Sequence, residues 1–434
     1  MVSLNKFSRL ISQGRTIFDI NRLREQLWLR PFVICLLSIL GVLAAKLADG
    51  SGDNFIRYIP EIDADALETL LSIMASSMMV IATFSVTSMV SAYASASSTA
   101  TPRSFKVIIA DDASQNALSA FIGAFIFSIV ALTALKNDFF ATIGVFILFS
   151  LTIFVFSIVI ITFVRWVDGI ARLGRMGSTI GKVESATAKA LTNRANAPAL
   201  HGLCKSVASL EGRPIYANTV GYVQHIDMAA LQKHAEKTHA RITVVALPGT
   251  LVAPSRVLAY VQTEAQTELD TVDFIQSFQI GEERLFDNDP RFGLIVLSEI
   301  AGRALSPAVN DPGTAIVILG TVLRLFTDYS HMRKHCNEEP IYNRIAVPEL
   351  SVDDMFDDIF TVIARDGAGL VEVATRLQKS LSILASSGDQ EMRSAAIRHG
   401  KLALMRAKSS LVMEEDYKTV MEASGFHEKS VNLS

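Results

Sequence analysis

Apolar residues run almost unbroken through positions 28–164, and from Arg165 onward they give way to the mixed apolar and polar pattern of a water-facing protein. A bilayer-crossing helix needs roughly 20 mostly apolar residues. On that length the pattern predicts four spans, at 28–47, 66–93, 118–135 and 139–164. Arg30 and Lys46 stand at the ends of the first, where long side chains reach the headgroups. A polar-to-mixed segment, 1–27, precedes that span and no small-residue cleavage site follows it, so it reads as a retained helix rather than a signal peptide.

Lys and Arg in short flanks orient such helices. Residues 1–30 carry Lys6, Arg9, Arg15, Arg22, Arg24 and Arg30, whereas the loop at 49–68 holds Arg57 among Asp49, Asp53, Glu61, Asp63, Asp65 and Glu68. Arg103 and Lys106 follow the second span, only Lys136-Asn137-Asp138 joins the third to the fourth, and Arg165, Arg172, Arg175 and Lys182 lie beyond. This alternation predicts both termini on the cytoplasmic side of the membrane.

Composition agrees with a membrane part joined to a soluble part. Of 434 residues, 50% are hydrophobic and 19% charged, below the quarter usual for soluble domains. The net charge of −3 from 40 basic and 43 acidic residues gives no basic field for nucleic acid. Cys35, Cys204 and Cys336 have neither CxxC spacing nor an even count, which predicts reduced, structural thiols.

The second span differs from the others. Ser72, Ser76, Thr83 and Thr87 recur on one helical face, and Ser77, Ser88, Ser91 and Ser95 add a second polar stripe. Two readings fit. Small hydroxylated residues let helices pack closely, and the same residues wall a water-filled path when copies of the helix surround an axis. No Asp, Glu, Lys, Arg or His lies in the middle of any span. That counts against a proton-coupled carrier but not against a passive channel. Pro102 must end or kink the second helix, and 105–109 suits a short amphipathic connector at the headgroups.

Beyond the spans, 168–194 reads as helix, 213–227 as extended chain and 228–238 as a short helix. Strands at 242–247 and 257–262 flank the turn residues Pro248, Gly249 and Pro254 as a β-hairpin. After the dense polar run Gly281-Glu282-Glu283-Arg284 and Asp287-Asn288-Asp289-Pro290-Arg291-Phe292-Gly293 comes an apolar helix at 294–305. Pro307 ends it, and Asp311 with Pro312 predicts the N-cap and first turn of the next helix. Glu299 and Arg303, four apart, predict a pair on one helix face. Ile341 opens a strand predicted at 341–347. Asp353, Asp354, Asp357 and Asp358 read as dipole-favoured residues in the first turns of a terminal helical region. His331 and His335 are i, i+4 but have no third zinc ligand.

The run Gly281-Glu282-Glu283-Arg284, Asp289, Phe292-Gly293, Ala301, Arg303-Ala304-Leu305-Ser306-Pro307, Asn310-Asp311-Pro312 and Thr314-Ala315 resembles the hallmark of the DUF2254 family of bacterial membrane proteins. The boundary from Ser91 to Thr101-Pro102-Arg103 resembles that family as well. Ala308 and Gly313 depart mildly from its pattern. The resemblance implies membrane placement and architecture and brings no activity with it.

Two chemistries suit the motif. Glu282, Glu283, Asp287, Asp289 and Asp311 are the carboxylates a hard cation prefers, and Arg284, Arg291 and Arg303 near the helix start at Asp311 suit an anion. A purely structural role for the Asp-Pro and Ser-Pro turns is the simpler reading. No Walker A run, GxGxxG or GxSxG occurs, so neither an enzyme nor a cofactor is expected.

The expected architecture is therefore a cytoplasmic segment (1–27), an α-helical transmembrane domain of four spans (28–164), a helical connector (165–197), a small β-containing subdomain (198–285) and a mainly helical subdomain (286–434), the last three forming a cytoplasmic α+β part. The expected function is a homo-oligomeric channel or channel-like transport protein with a large regulatory domain. The alternative is a membrane-anchored sensor or scaffold whose domain binds a ligand or partner. The pore-lining or helix-packing candidates are Ser72, Ser76, Thr83, Thr87 and Ser91. The ligand or subunit-contact candidates are Arg284, Asp289, Arg291, Glu299, Arg303, Asn310 and Asp311. The expected partners are the lipid bilayer, further copies of the chain, and a small ion or ligand, without nucleic acid or metal.

Overall fold

The computed structural model describes residues 29–49, 62–104, 112–172, 175–204, 211–263, 271–333, 340–387 and 389–425. The expected N-terminal segment, the connector at 105–109, His335 and Cys336 lie outside them. The chain divides into two compact units, one holding 29–99 and 112–179, the other Ala100–Ser104 with 180–425.

The first unit consists of α1 (Leu29–Asp49), α2 (Ala64–Thr99), α3 (Asp112–Lys136) and α4 (Thr142–Arg172), continuing into the start of α5 (Met176–Asn196). Four of these helices are long and apolar enough to span a bilayer, in the order the hydropathy predicts. α2 runs six residues past its expected end because its Ala- and Ser-rich tail, though not apolar, forms helix. α3 is the central element and packs against α1, α2 and α4. Phe121 and Phe127 of α3 are buried with Leu67, Leu71, Met74 and Met78 of α2. At Gly123 the helices come so close that a Cβ would stand 2.2 Å from Ile34, and the Ser38 hydroxyl donates to the Gly123 carbonyl at 3.1 Å. This is the small-residue contact that lets apolar helices pack without a hydrophobic driving force. α3 ends at the reversal formed by Asp138 in the left-handed region (φ 50°), where Phe139 N–H bonds Ala134 O at 3.1 Å. The outer faces carry exposed Leu37, Leu40, Val80, Phe84, Ile161 and Val164. A surface this apolar suits hydrocarbon and not water.

The second unit follows α5 with β1 (Gly202–Cys204), β2 (Arg213–Tyr216), β3 (Gly221–Ile226), α6 (Met228–Lys237), β4 (Ala240–Val244), β5 (Leu251–Val252), β6 (Val257–Thr263), α7 (Thr271–Gln276) and β7 (Phe278–Gly281). After these come α8 (Pro290–Ala304), α9 (Pro312–Arg333), β8 (Tyr342–Val347), α10 (Val352–Asp366), α11 (Val371–Ser387), α12 (Gln390–Ser410) and α13 (Glu414–Ser424). One sheet has the order β1-β8-β4-β6-β2, with β1, β8 and β4 parallel and the rest antiparallel; β5-β3-β7 is a small antiparallel sheet. The expected hairpin is β4–β6. Its first strand stops early because Val245 and Ala246 both donate to Leu258 O, a bulge that ends regular pairing. Ile215, Val223, Ile242, Val244, Val261 and Ile345 fill the sheet core, and Phe326, Phe356 and Phe360 stack in the helical part.

Candidate functional site

The polar run after β7 forms a closed knot. Arg284 turns onto Asp289 with Nε donating to Oδ2 at 2.7 Å and Nη2 to Oδ1 at 2.9 Å. The same carboxylate accepts the Phe292 N–H at 3.2 Å and so caps α8, whose first residue, Pro290, has no N–H to satisfy. The guanidinium lies over the Phe292 ring at 5.5 Å, and Phe286 packs on that ring at 4.7 Å. Asp289 is only 3% exposed; burial pushes its carboxyl above the usual range while Arg284 pulls it back. Gly249 closes the knot from the hairpin side. Its φ is +91°, and a Cβ there would stand 2.2 Å from Asp289 Oδ2. Gly293, one turn along α8, is equally confined, with a Cβ placed 2.0 Å from the Thr187 hydroxyl of α5.

Arg291 leaves the knot in another direction. It donates to Asp358 at 2.6 and 3.2 Å and to Asp354 at 2.5 Å, tying α8 to α10. Burial opposes its charge, but these carboxylates outweigh burial and hold its pKa above the ordinary arginine value. The alternate carboxylates face α12: Arg398 bonds Asp353 at 3.2 Å and Asp357 at 3.0 Å, and His399 Nε2 lies 3.0 Å from Asp357 Oδ1. The acidic run puts Asp353 and Asp354 in the first turn of α10, where the helix dipole favours them, and it also staples α10 to two neighbours. Ser351 makes the cap, accepting the Asp354 N–H at 3.1 Å. A two-sided arrangement at i, i+1, i+4, i+5 was in the spacing, but its partners are far away in sequence.

Glu299 does not pair with Arg303. Its Oε2 accepts from the Thr101 hydroxyl at 2.9 Å and its Oε1 meets Arg103, residues that directly follow α2 in the chain. Thr101 and Ser104 are buried there, and the Ser104 hydroxyl donates to Thr101 O at 2.7 Å. Arg303 is exposed. Asn310 and Asp311 shape the α8–α9 turn. Asn310 is left-handed (φ 49°), as asparagine tolerates, and Asp311 accepts the Thr314 N–H at 3.1 Å and its hydroxyl at 2.6 Å. These bonds hold the Asp311 carboxyl below the usual range.

The arginines of the motif thus do not converge on an anion: Arg284 and Arg291 each hold carboxylates. Among the described residues no group of three or more His, Cys, Asp or Glu is disposed to hold a metal ion. Cys35 and Cys204 are free thiols. In the helical unit, Ser72, Ser76, Thr83, Thr87 and Ser91 are all exposed on the side of α2 turned away from its contacts, which run through Leu71, Met74, Met78, Ala82 and buried Ser85. Ser76, Thr83 and Thr87 each donate to the carbonyl four residues back, at 2.9, 2.9 and 3.0 Å.

A family profile described as "Predicted membrane protein (DUF2254)" matches residues 24–382. Among curated proteins, the chain is similar to uncharacterised proteins of Mycobacterium tuberculosis and Mycobacterium bovis, each 32% identical over 111 residues, 24% of this chain and 21% of the relative. The match thus spans about a fifth of those relatives' length. No solved structure matches.

Proposed function

Starting from a chain that belongs to the DUF2254 family of predicted membrane proteins, we propose a homo-oligomeric, channel-like transport protein of the bacterial inner membrane. In this reading both termini are cytoplasmic and the second unit regulates the pathway from that side. The observation that carries it is the outward hydroxyl stripe of α2. From Ser72 to Ser91 it covers ~28 Å at 1.5 Å per residue, close to the ~30 Å hydrocarbon thickness. A hydroxyl gains from water or from a polar seam and gains nothing from lipid tails. Facing copies of α2 around an axis would give the stripe that environment, with exposed Val80 and Val90 interleaved on the same face and Phe84 at its edge. The absence of ionisable residues in mid-span fits passive conduction. The test is conductance of the purified protein in planar bilayers. Thr83→Trp and Ser76→Trp should reduce it several-fold, and Leu37→Trp, on the exposed face of α1, should not. A silent protein, or one whose current ignores every α2 substitution, sinks the reading.

A membrane-anchored sensor is the second reading, favoured by a polar-lined cavity in the C-terminal unit. Ligand binding without conductance would select it.

A further inference from the structure

The loop that carries Asp289 has a second side. Asn288, next to the knot, and Pro248, next to Gly249, are part of the wall of an open cavity of about 250 Å³ lined from α5, β3, α6 and β8. Polar residues line it from separate elements: Asn193, His201, His225, Asp227, Asn288 and Tyr342. His225 Nδ1 lies 3.4 Å from Asn288 Nδ2, and Asp227 caps α6 through the Ala230 N–H at 2.9 Å. At the rim, Leu200 and His201 are consecutive non-glycine residues in the left-handed region, with φ of 51° and 62°. Such conformations cost about 1–3 kcal/mol each and persist only where the surroundings impose them. Here the Leu200 N–H bonds Ala197 O at 2.9 Å, and His201 O accepts the Tyr342 N–H at 2.9 Å. These bonds tie the left-handed pair at one end to the close of α5 and at the other to the first residue of β8.

The lining selects the ligand. Among the described residues the lining includes no Lys or Arg and does include a carboxylate, Asp227, so a phosphate or carboxylate ligand would lose its hydration and meet repulsion. Among the described residues, His201, His225 and Asp227 belong to no group of three disposed to hold a metal ion. Two amides offer donors and acceptors together, the pattern that reads the edge of a heterocycle in the manner of Asn on adenine. Leu200, Ile226, Met228 and Pro248 supply apolar walls, and imidazole and phenol rings supply π faces. The volume equals about eight waters at 30 Å³ each, room for one ring system within the walls. We infer that this cavity is a binding site for an uncharged, planar nitrogen heterocycle of nucleobase size. The Arg284–Asp289–Gly249 knot is the buttress that holds its Asn288 and Pro248 wall. The assignment holds whether or not the protein conducts, because it concerns the C-terminal unit alone.

Titration calorimetry of the full chain in detergent tests it, with adenine, guanine, cytosine and uracil as probes and Zn²⁺ and inorganic phosphate as comparisons. At least one base should bind saturably at one site per chain. Asn288→Ala should weaken it tenfold or more, and so should Asn193→Leu, at an exposed position whose change leaves the fold intact. Arg303→Ala should leave it unchanged. Failure of all four bases, binding of only Zn²⁺ or phosphate, or base affinity indifferent to both asparagine variants overturns the assignment. None of these outcomes depends on conductance, so the site and the channel reading stand or fall separately.

Discussion

The carboxylate of Asp289 occupies the space in which a side chain on Gly249 would have to sit, 2.2 Å from where its Cβ would be. Gly249 also has a φ of +91°, so any other residue meets both backbone strain and a buried ion pair. Gly249→Ala should therefore destabilise the C-terminal unit by about 3 kcal/mol or more, combining the left-handed cost with disturbance of a buried pair. The contrasting position is Gly320, inside α9, where a Cβ meets only Arg324 Nη1 at 3.9 Å. Gly320→Ala should stabilise by about 0.5–1 kcal/mol. Denaturant unfolding of the two variants checks the pair; equal effects would contradict this account of the turn.

Arg284 and Asp289 are both largely buried, so removing one partner strands a charge. Arg284→Met should cost about 3–5 kcal/mol. Asp289→Asn should cost less, because an amide oxygen can still accept the Phe292 N–H and keep the α8 cap. In the double variant the loss should fall well short of the sum, which a double-mutant cycle reads directly. Additive losses would mean that the two side chains act independently.

Local patterns carried much of this structure into view and long-range pairing did not. Hydropathy located the four long apolar helices because crossing a bilayer sets a minimum apolar run. The Asp-Pro start of α9 is legible because a cap and its helix are neighbours in sequence; the apolar pattern starts α8 only at Leu294, four residues past Pro290, because its first turn, Pro290 to Gly293, is not an apolar run. Glu299 was different. Arg303 was its only partner within one turn, and its actual partner, Arg103, is 196 residues away. Asp354 and Asp358 likewise await Arg291, and Asp353 and Asp357 await Arg398; spacing reveals two faces without saying what covers them. The cavity was invisible for the same reason. His201, His225, Asn288 and Tyr342 come from four separate stretches, and no motif links them.

The Arg103–Glu299 contact is half-exposed, with side-chain exposures of 55% and 34%. Surface pairs of this kind contribute ~0–1 kcal/mol and weaken with salt. Glu299→Gln should accordingly leave the unfolding midpoint almost unchanged. In the channel reading it should still shift open probability, since Thr101 and Arg103 follow α2 directly and Glu299 is their hold on α8. Bilayer recordings at low and high salt separate the effects. A Glu299→Gln protein whose gating matches the parent at both salts removes this contact from the regulatory pathway.

His399 is 3% exposed and its pKa is lowered, first by burial and then by Arg398, with Asp357 opposing. A group whose folded pKa lies below its unfolded value binds fewer protons when folded. Its contribution to stability is then complete above the unfolded pKa of ~6.5 and is lost as pH falls through the folded value. The packing of α12 on α10 should therefore weaken as pH falls below ~6.5. His399→Gln keeps a donor near Asp357 and removes the titration, so its stability should change less over that interval. Parallel denaturant unfolding of parent and variant at pH 7.5, 6.5 and 5.5 measures this. If the two curves fall by the same amount on acidification, His399 is not the group responsible.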